Sequence, residues 1–303
     1  MKQKFHSNGK LLLAGEYVVL EGATALALPT RYGQSLEVET IDEPLIHWKS
    51  FDHQGNIWYQ EQFTIKQGNL IPLLMQSSSV SERLLQLFQA VSELNTEFLV
   101  HGNGYDISST LEFPNDWGLG SSSTLINNIA QWTNTDPFHL SKKSFGGSGY
   151  DIAAAKMDSP FLYTLKDKPQ TQKLELQWDF KDRLYFVHLN EKQNSREAID
   201  QFQLIKKYSK AIISEINAIT LAITTCQSLD VFIEQIEQHE KIISALLDRR
   251  PVKEVLFNDY AGSVKSLGAW GGDFVLVTAE KEDLEYFRRK GYTTIIPFKD
   301  MVK

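Results

Sequence analysis

The stretch that decides the fold is PNDWGLGSSSTL, Pro114 to Leu125, in which Gly118 and Gly120 precede three successive serines and the start of an apolar, helix-forming run. Both glycines can take a positive φ and let a ligand approach bare backbone. Ser121, Ser122 and Ser123 bring hydroxyls and N–H groups to the point where a helix start leaves donors unsatisfied. An anion placed there is favoured by the helix dipole as well. These are the parts of a phosphate-binding loop, and they are equally the parts of an ordinary turn and N-cap, so the surrounding chain has to decide.

Upstream, GKLLLAGEYVVLEG, Gly9 to Gly22, reads as two apolar strand-like runs, LLLA and YVVL, closed by a turn at Gly22. Gln34–Thr40 and Ile57–Ile65 alternate as strands of an antiparallel sheet. Ser79–Leu94 has helical spacing, with Ser79 as the cap and Glu82 closing a capping box. Downstream of the loop come a helix from about Ser122 to Thr133, the segment GGSGYDIAAAK (Gly146 to Lys156) and a strand at Pro160–Thr164. The polar stretch Lys166–Gln177 places a domain boundary near residue 170. A strand at Leu184–Leu189 opens the second half, and helices follow at Ser195–Lys206, Tyr208–Thr224 and Leu229–Leu247. The glycine turn LGAWGGD leads to a strand FVLVTA, a short helix at Lys281–Lys290 and a last strand at Thr293–Pro297. Strands alternating with helices in this order predict an α+β sandwich of the split βαβ type.

Composition narrows the function classes. The chain has 303 residues, 42% hydrophobic and 23% charged, as expected of a globular protein large enough for a core and a cleft. No segment approaches a membrane span, and the N-terminus lacks the apolar region of an export signal, so neither membrane nor export is expected. Cys226 is the single cysteine. That excludes an internal disulfide or a multi-cysteine metal site, and a cytoplasmic setting follows as the expectation. A net charge of −7 argues against nucleic acid as a partner. A small anionic ligand is still admissible, because local fields decide its binding.

Lys10 and Glu16 flank an apolar run. Either they are strand-end charges facing solvent, or the carboxylate holds a lysine aimed at phosphate oxygens. Asp151 follows Gly146, Gly147, Ser148, Gly149 and Tyr150. At a helix start it is a plain N-cap, or it is the group that orients and deprotonates an attacking hydroxyl. Gly268, Gly271 and Gly272 form a further glycine cluster that a hairpin turn would explain as well. In the loop Asn190–Arg196, Asn194 and Glu197 make an N-x-x-E cap, with Lys192 and Arg196 available for an anion.

Taken in order, GKLLLAGEYVVLEG, PNDWGLGSSST, GGSGYDIAAA and LGAWGGD resemble the motif series of the GHMP small-molecule kinases, the superfamily of galactokinase, homoserine kinase, mevalonate kinase and phosphomevalonate kinase. The resemblance spans nearly the whole chain. It implies a two-domain α+β fold, with residues 1–170 an S5-like nucleotide-binding domain and 171–303 a ferredoxin-like domain. It also implies ATP and Mg2+ as cofactors. Gly118, Leu119, Gly120, Ser121, Ser122, Ser123 and Thr124 would cradle the nucleotide phosphates, with Ser122 and Asp151 near the metal. Lys10 and Asp151 would be catalytic. Glu16, Ser148, Gly149, Tyr150, Lys192, Ser195, Arg196, Gly268, Gly271 and Gly272 would face the acceptor. The acceptor is expected to be mevalonate or phosphomevalonate; GEY, GSGYD and Asp273 look more like phosphomevalonate kinases. A diphosphomevalonate decarboxylase-like enzyme and a nucleotide-binding homologue without turnover stay open as alternatives. Two departures stand out: no glutamate lies between Ser123 and Asp151, and Trp270 occupies a position where the family usually has a small residue. The expected partner is a small-molecule substrate, with a homodimer left open.

Overall fold

The computed structural model describes residues 2–73, 78–100, 102–192, 197–200, 202 and 209–303. Two strands begin the chain, β1 (Lys2–Ala14) and β2 (Ala25–Ile41), and they pair with each other. By contacts the chain divides into two compact units, and this is not a cut at one point: Lys10–Arg31 and Asp116–Gly118 group with Met157–Lys303, and the remainder forms the other unit. The division therefore differs from a single boundary near residue 170.

The first unit holds a mixed sheet. The strands β3 (Leu45–Phe51), β4 (Ile57–Lys66), β5 (Asn69–Pro72) and β6 (Gly104–Leu111) join the Gln34–Ile41 part of β2 in the order β5-β4-β3-β6-β2. All neighbours are antiparallel except β3 and β6, which run parallel. Alternate residues of these strands, among them Leu36, Val38, Ile46, Trp48, Phe63 and Ile107, face the core, because side chains on a strand alternate with period two. Four helices bury their apolar stripes on that face: α1 (Ser79–Leu94), α2 (Ser121–Trp132), α3 (Pro137–Ser144) and α4 (Tyr150–Lys156). Leu84, Leu87, Phe88 and Val91 follow the 3.6-residue period that brings one side of α1 inward, and Phe88 meets Trp48 edge-on at 6.1 Å between centroids. The cap of α1 is Ser78, one residue earlier than the sequence suggested, and Ser81 rather than Glu82 closes its capping box.

In the second unit the residues Ala25–Ala27 of β2 pair with β7 (Phe161–Leu165), which pairs with β8 (Pro169–Lys173). Pro169–Lys173 is polar and largely exposed, so it lacks the apolar alternation by which strands are read. An antiparallel sheet of β9 (Leu184–His188), β10 (Val264–Ser266), β11 (Phe274–Thr278) and β12 (Ile295–Pro297) has the order β10-β11-β9-β12. Among the described residues the helices α5 (Lys210–Thr225), α6 (Leu229–Leu247), α7 (Val252–Leu256), α8 (Leu284–Arg289) and α9 (Phe298–Met301) accompany it, and residues 197–200 and 202 are helical as well. The succession strand, helices, strand, strand, helix, strand in that order is the ferredoxin-like arrangement. The helix expected at Ser195–Lys206 falls largely outside the described residues. YVVL is not a strand. Tyr17 turns the chain at φ 64, Val18–Glu21 forms a 3-10 turn with Val18 and Val19 buried, and Gly22 ends it at φ 85. A buried run of β-branched residues has the composition of a strand, and only its four-residue length between two glycines marks it as a turn.

Candidate functional site

The first unit contains the decisive stretch from Leu119 onward. Helix α2 starts at Ser121 behind Gly120, which sits at φ 89, and no side chain caps its N–H groups. Four other starts are closed: Ser78, Asp136, Ser209 and Ser228 accept backbone N–H bonds at the heads of α1, α3, α5 and α6, whereas the short helices α7, α8 and α9 carry no side-chain cap. The serines of α2 divide into two sets. Ser123 and Thr124 are buried and turn their hydroxyls inward, onto the Gly120 carbonyl at 2.9 Å and the Gln34 Oε1 at 2.6 Å. Ser122 is exposed and Ser121 half-buried, and both line a cavity of about 140 Å3 whose other walls include Gln34, Trp48, Trp58, Arg83 and Phe145.

A buried polar network fixes this helix. Gln34 Nε2 donates to Ser109 Oγ at 2.6 Å, Asn128 Nδ2 donates to the Gln34 carbonyl at 2.8 Å, and Ser7 Oγ donates to Asn128 Oδ1 at 2.7 Å. Satisfied networks of this kind hold an element in one position. Asp151 lies in the first turn of α4 and accepts the Ile152 N–H at 2.9 Å. Gly146, Gly147 and Gly149 precede it with φ of 71, 98 and 83. A Cβ on Gly146 or Gly147 would meet nothing within 4 Å, so backbone conformation, not crowding, calls for glycine there. Ser148 is buried, and Tyr150 begins α4.

In the second unit, Lys10 donates from Nζ to the Gly118 carbonyl at 2.7 Å. Gly118 has φ 64, and a Cβ there would overlap the Asp273 carboxylate, so this glycine is demanded twice, by conformation and by close approach. Asp273, at φ 55, is fixed through its backbone, its N–H on the Glu191 carbonyl at 2.6 Å and its carbonyl on the Leu189 N–H at 2.8 Å. Trp117 packs edge-on against Phe274 at 5.4 Å, and His188 Nε2 lies 3.2 Å from the Asp116 carbonyl. The Asp116–Gly118 half of the motif is thereby seated on the ends of β9 and β11.

The glycine turn Gly268–Gly272 is held by Tyr17 of the GKLLLAGEYVVLEG motif. Tyr17 Oη donates to the Ala269 carbonyl at 2.9 Å. Trp270, at φ 54, turns its side chain inward. Its ring is 1% exposed and packs in a core with Tyr17, Val18, Phe202, Ile216 and Ile243.

Glu16 is neither a solvent-facing strand end nor the holder of Lys10. It is 1% exposed and pairs through Oε1 with Lys265 Nζ at 2.6 Å, while Oε2 lies 3.2 Å from His239 Nε2. Lys265 also reaches Glu240 at 3.1 Å. Burial pushes the Glu16 carboxyl up to about 7 despite the pull of Lys265, and burial raises Glu240 in the same direction. Burial alone would lower the Lys265 pKa, but Glu16 and Glu240 together outweigh it and leave it raised. His239 is held well below its usual value, first by burial and then by Lys265. Its Nε2 accepts the Gly15 N–H at 2.9 Å, so the ring is neutral with its proton assigned to Nδ1. One ammonium faces two carboxylates, and a proton taken up by Glu16 near neutral pH balances the enclosed charge.

Lys265, His239, Glu240 and Gln34 were not among the residues singled out from the sequence. One signal was available: Phe232, Ile236, His239, Ile243 and Leu246 share one helical stripe of α6, so a histidine stands in a core position. Lys192 is exposed, and Asn194, Ser195 and Arg196 lie outside the described residues. Among the described residues no three His, Cys, Asp or Glu side chains gather to hold a metal ion, and no helix is long and apolar enough to cross a membrane.

No protein-family model and no curated protein sequence matches the chain. Solved structures do. The mevalonate kinase of Methanococcus jannaschii superposes with a TM-score of 0.71 at 15% identity, covering 98% of this chain and 97% of that one. The Streptococcus pneumoniae phosphomevalonate kinase in complex with phosphomevalonate and AMPPNP gives 0.68 at 15% identity, covering 95% of each chain. The Lactococcus lactis galactokinase complexed with galactose gives 0.65 at 13%, covering 95% of this chain and 88% of that one. The fold is that of the GHMP kinases.

Proposed function

We propose that this chain, built on the GHMP-kinase fold, is an ATP-dependent phosphotransferase acting on a small anionic acceptor, phosphomevalonate or mevalonate. The observation that carries the reading is the start of α2, where uncapped N–H groups and the exposed Ser122 adjoin a cavity walled by Trp48, Trp58 and Phe145. Uncapped donors suit phosphate oxygens, and aromatic walls suit a purine base. ATP fits these residues. Ser123 and Thr124 would serve by keeping the loop in shape, and Ser121 and Ser122 by meeting the phosphates.

Among the described residues no three His, Cys, Asp or Glu side chains gather, so magnesium would keep water and nucleotide phosphates as most of its ligands. Ser122 and Asp151 are the protein oxygens that would hold it. When bound, the ion would offset charge on the phosphate oxygens. Lys10, anchored on the Gly118 carbonyl, supplies fixed positive charge for the transferring group. With mevalonate, Asp151 would take the hydroxyl proton as the oxygen attacks the γ-phosphorus and the bond to ADP breaks. A phosphate acceptor arrives ionised, and the weight then shifts to cations such as Lys10 and Lys192.

The test is coupled ATP turnover with mevalonate, phosphomevalonate, galactose and homoserine in parallel. Turnover with one of the first two supports the proposal. With mevalonate, Asp151→Asn is expected to lose roughly 100-fold, the usual scale of a general base. Turnover confined to galactose or homoserine, or none with any acceptor, rejects the proposed acceptor class.

A further inference from the structure

A second cavity, of about 410 Å3, opens in the first unit at the far end of α2, against Phe98, Tyr105 and Trp132. Along the helix axis this is roughly 17 Å from Ser121, so it is separate from the phosphate loop. Among the described residues its walls carry one formal charge, and that charge is negative. Trp132 packs edge-on against Tyr105 at 5.0 Å and against Phe98 at 5.1 Å, giving a cluster of π systems. Glu97 is exposed and is the one formally charged residue among the described residues of the lining, which include no lysine, arginine or histidine. Thr133 and Asn134 place the C-terminal, negative end of the α2 dipole there too. The nearest lysines in sequence, Lys2 and Lys4 on either side of the lining residue Gln3, are paired with Glu37 at 2.8 and 3.1 Å.

We propose that this cavity is a binding site for a small organic cation of the alkylammonium class, held over the aromatic cluster with Glu97 as counter-ion. Aromatic faces attract ammonium groups through the ring quadrupole, and a carboxylate and a helix C-terminus act in the same sense. A neutral ligand of the same shape gains nothing from these three features.

Isothermal titration of the full chain with choline, and with its neutral isostere 3,3-dimethylbutan-1-ol, tests the proposal. Choline is expected to bind saturably in the millimolar range or tighter, and the isostere at least about tenfold more weakly. Glu97→Gln, at an exposed position whose fold is checked by circular dichroism, is expected to weaken choline by about threefold to fivefold. Trp132→Phe keeps an aromatic face and is expected to retain weakened binding. Absence of choline binding, equal affinity for the isostere, or indifference to Glu97→Gln each overturns the proposal.

Discussion

The start of α2 and the Glu16 quartet treat polar groups in opposite ways. At α2 a glycine stands where α1, α3, α5 and α6 carry a capping side chain, and no side chain closes the donors. In the quartet the groups are enclosed: Glu16, His239, Glu240 and Lys265 are each under a tenth exposed, and Lys265 pairs with both carboxylates, while Glu16 Oε2, Glu240 Oε1 and His239 Nδ1 lack a hydrogen-bond partner among the described residues. Groups satisfied within the protein support its stability, and groups left open are available to a ligand. Substitutions in the quartet should therefore break folding, and substitutions at the loop should break turnover.

The largest effect expected is that of Lys265→Met, which leaves two buried carboxylates without their cation and should cost about 3–5 kcal/mol in urea unfolding. A stable Lys265→Met protein would end the contrast. Glu16→Gln sharpens it through pH. The Glu16 carboxyl is pushed up to about 7 in the folded chain against an ordinary value of 4.5, so the native state keeps a proton that the unfolded state releases. Its contribution to stability is present below 4.5 and fades as pH rises to about 7. The stability difference between wild type and Glu16→Gln should shrink across that window by roughly 3 kcal/mol. His239 slopes the other way, and because its Nε2 lies 3.2 Å from Glu16 Oε2 the difference reads the two groups together.

At the loop, Gly118→Ala forces a Cβ onto Asp273 and should lower kcat/KM with ATP by roughly 100-fold, the scale of a small misplacement in a site. Its urea midpoint should move less than that of Lys265→Met. Ser78→Ala is the smallest change. Removing the cap of α1 should cost about 1 kcal/mol and leave turnover untouched. Loss of activity in Ser78→Ala would show that the open and closed starts are not separable in function.

Much of the fold was legible because its signals are local. The apolar stripe of Leu229–Leu247 gives the helix to the residue, and the cluster at Gly118–Ser123 gives the loop. What failed was context. YVVL has strand composition, but its burial is achieved on a 3-10 turn, and Pro169–Lys173 is a strand although nothing apolar marks it. The site was half legible. Glycines and serines at fixed spacing disclosed the loop, whereas the partner of Glu16 lies 249 residues away at Lys265, beyond the reach of any local pattern. Likewise the inward turn of Trp270 depends on a core assembled from distant segments.

Tyr17 carries one more consequence, and it concerns rates of opening. Its hydroxyl binds the Ala269 carbonyl, and its ring shares a core with Trp270, so the glycine turn is tied to the core at two adjacent residues. A glycine-rich turn without such ties opens readily, and its amides exchange with solvent quickly. Here, exposing Ala269 and Trp270 requires a buried hydrogen bond and a buried indole to part together. The amides of this turn should exchange with the cooperative unit that contains α6, on its slow timescale rather than on that of a surface loop.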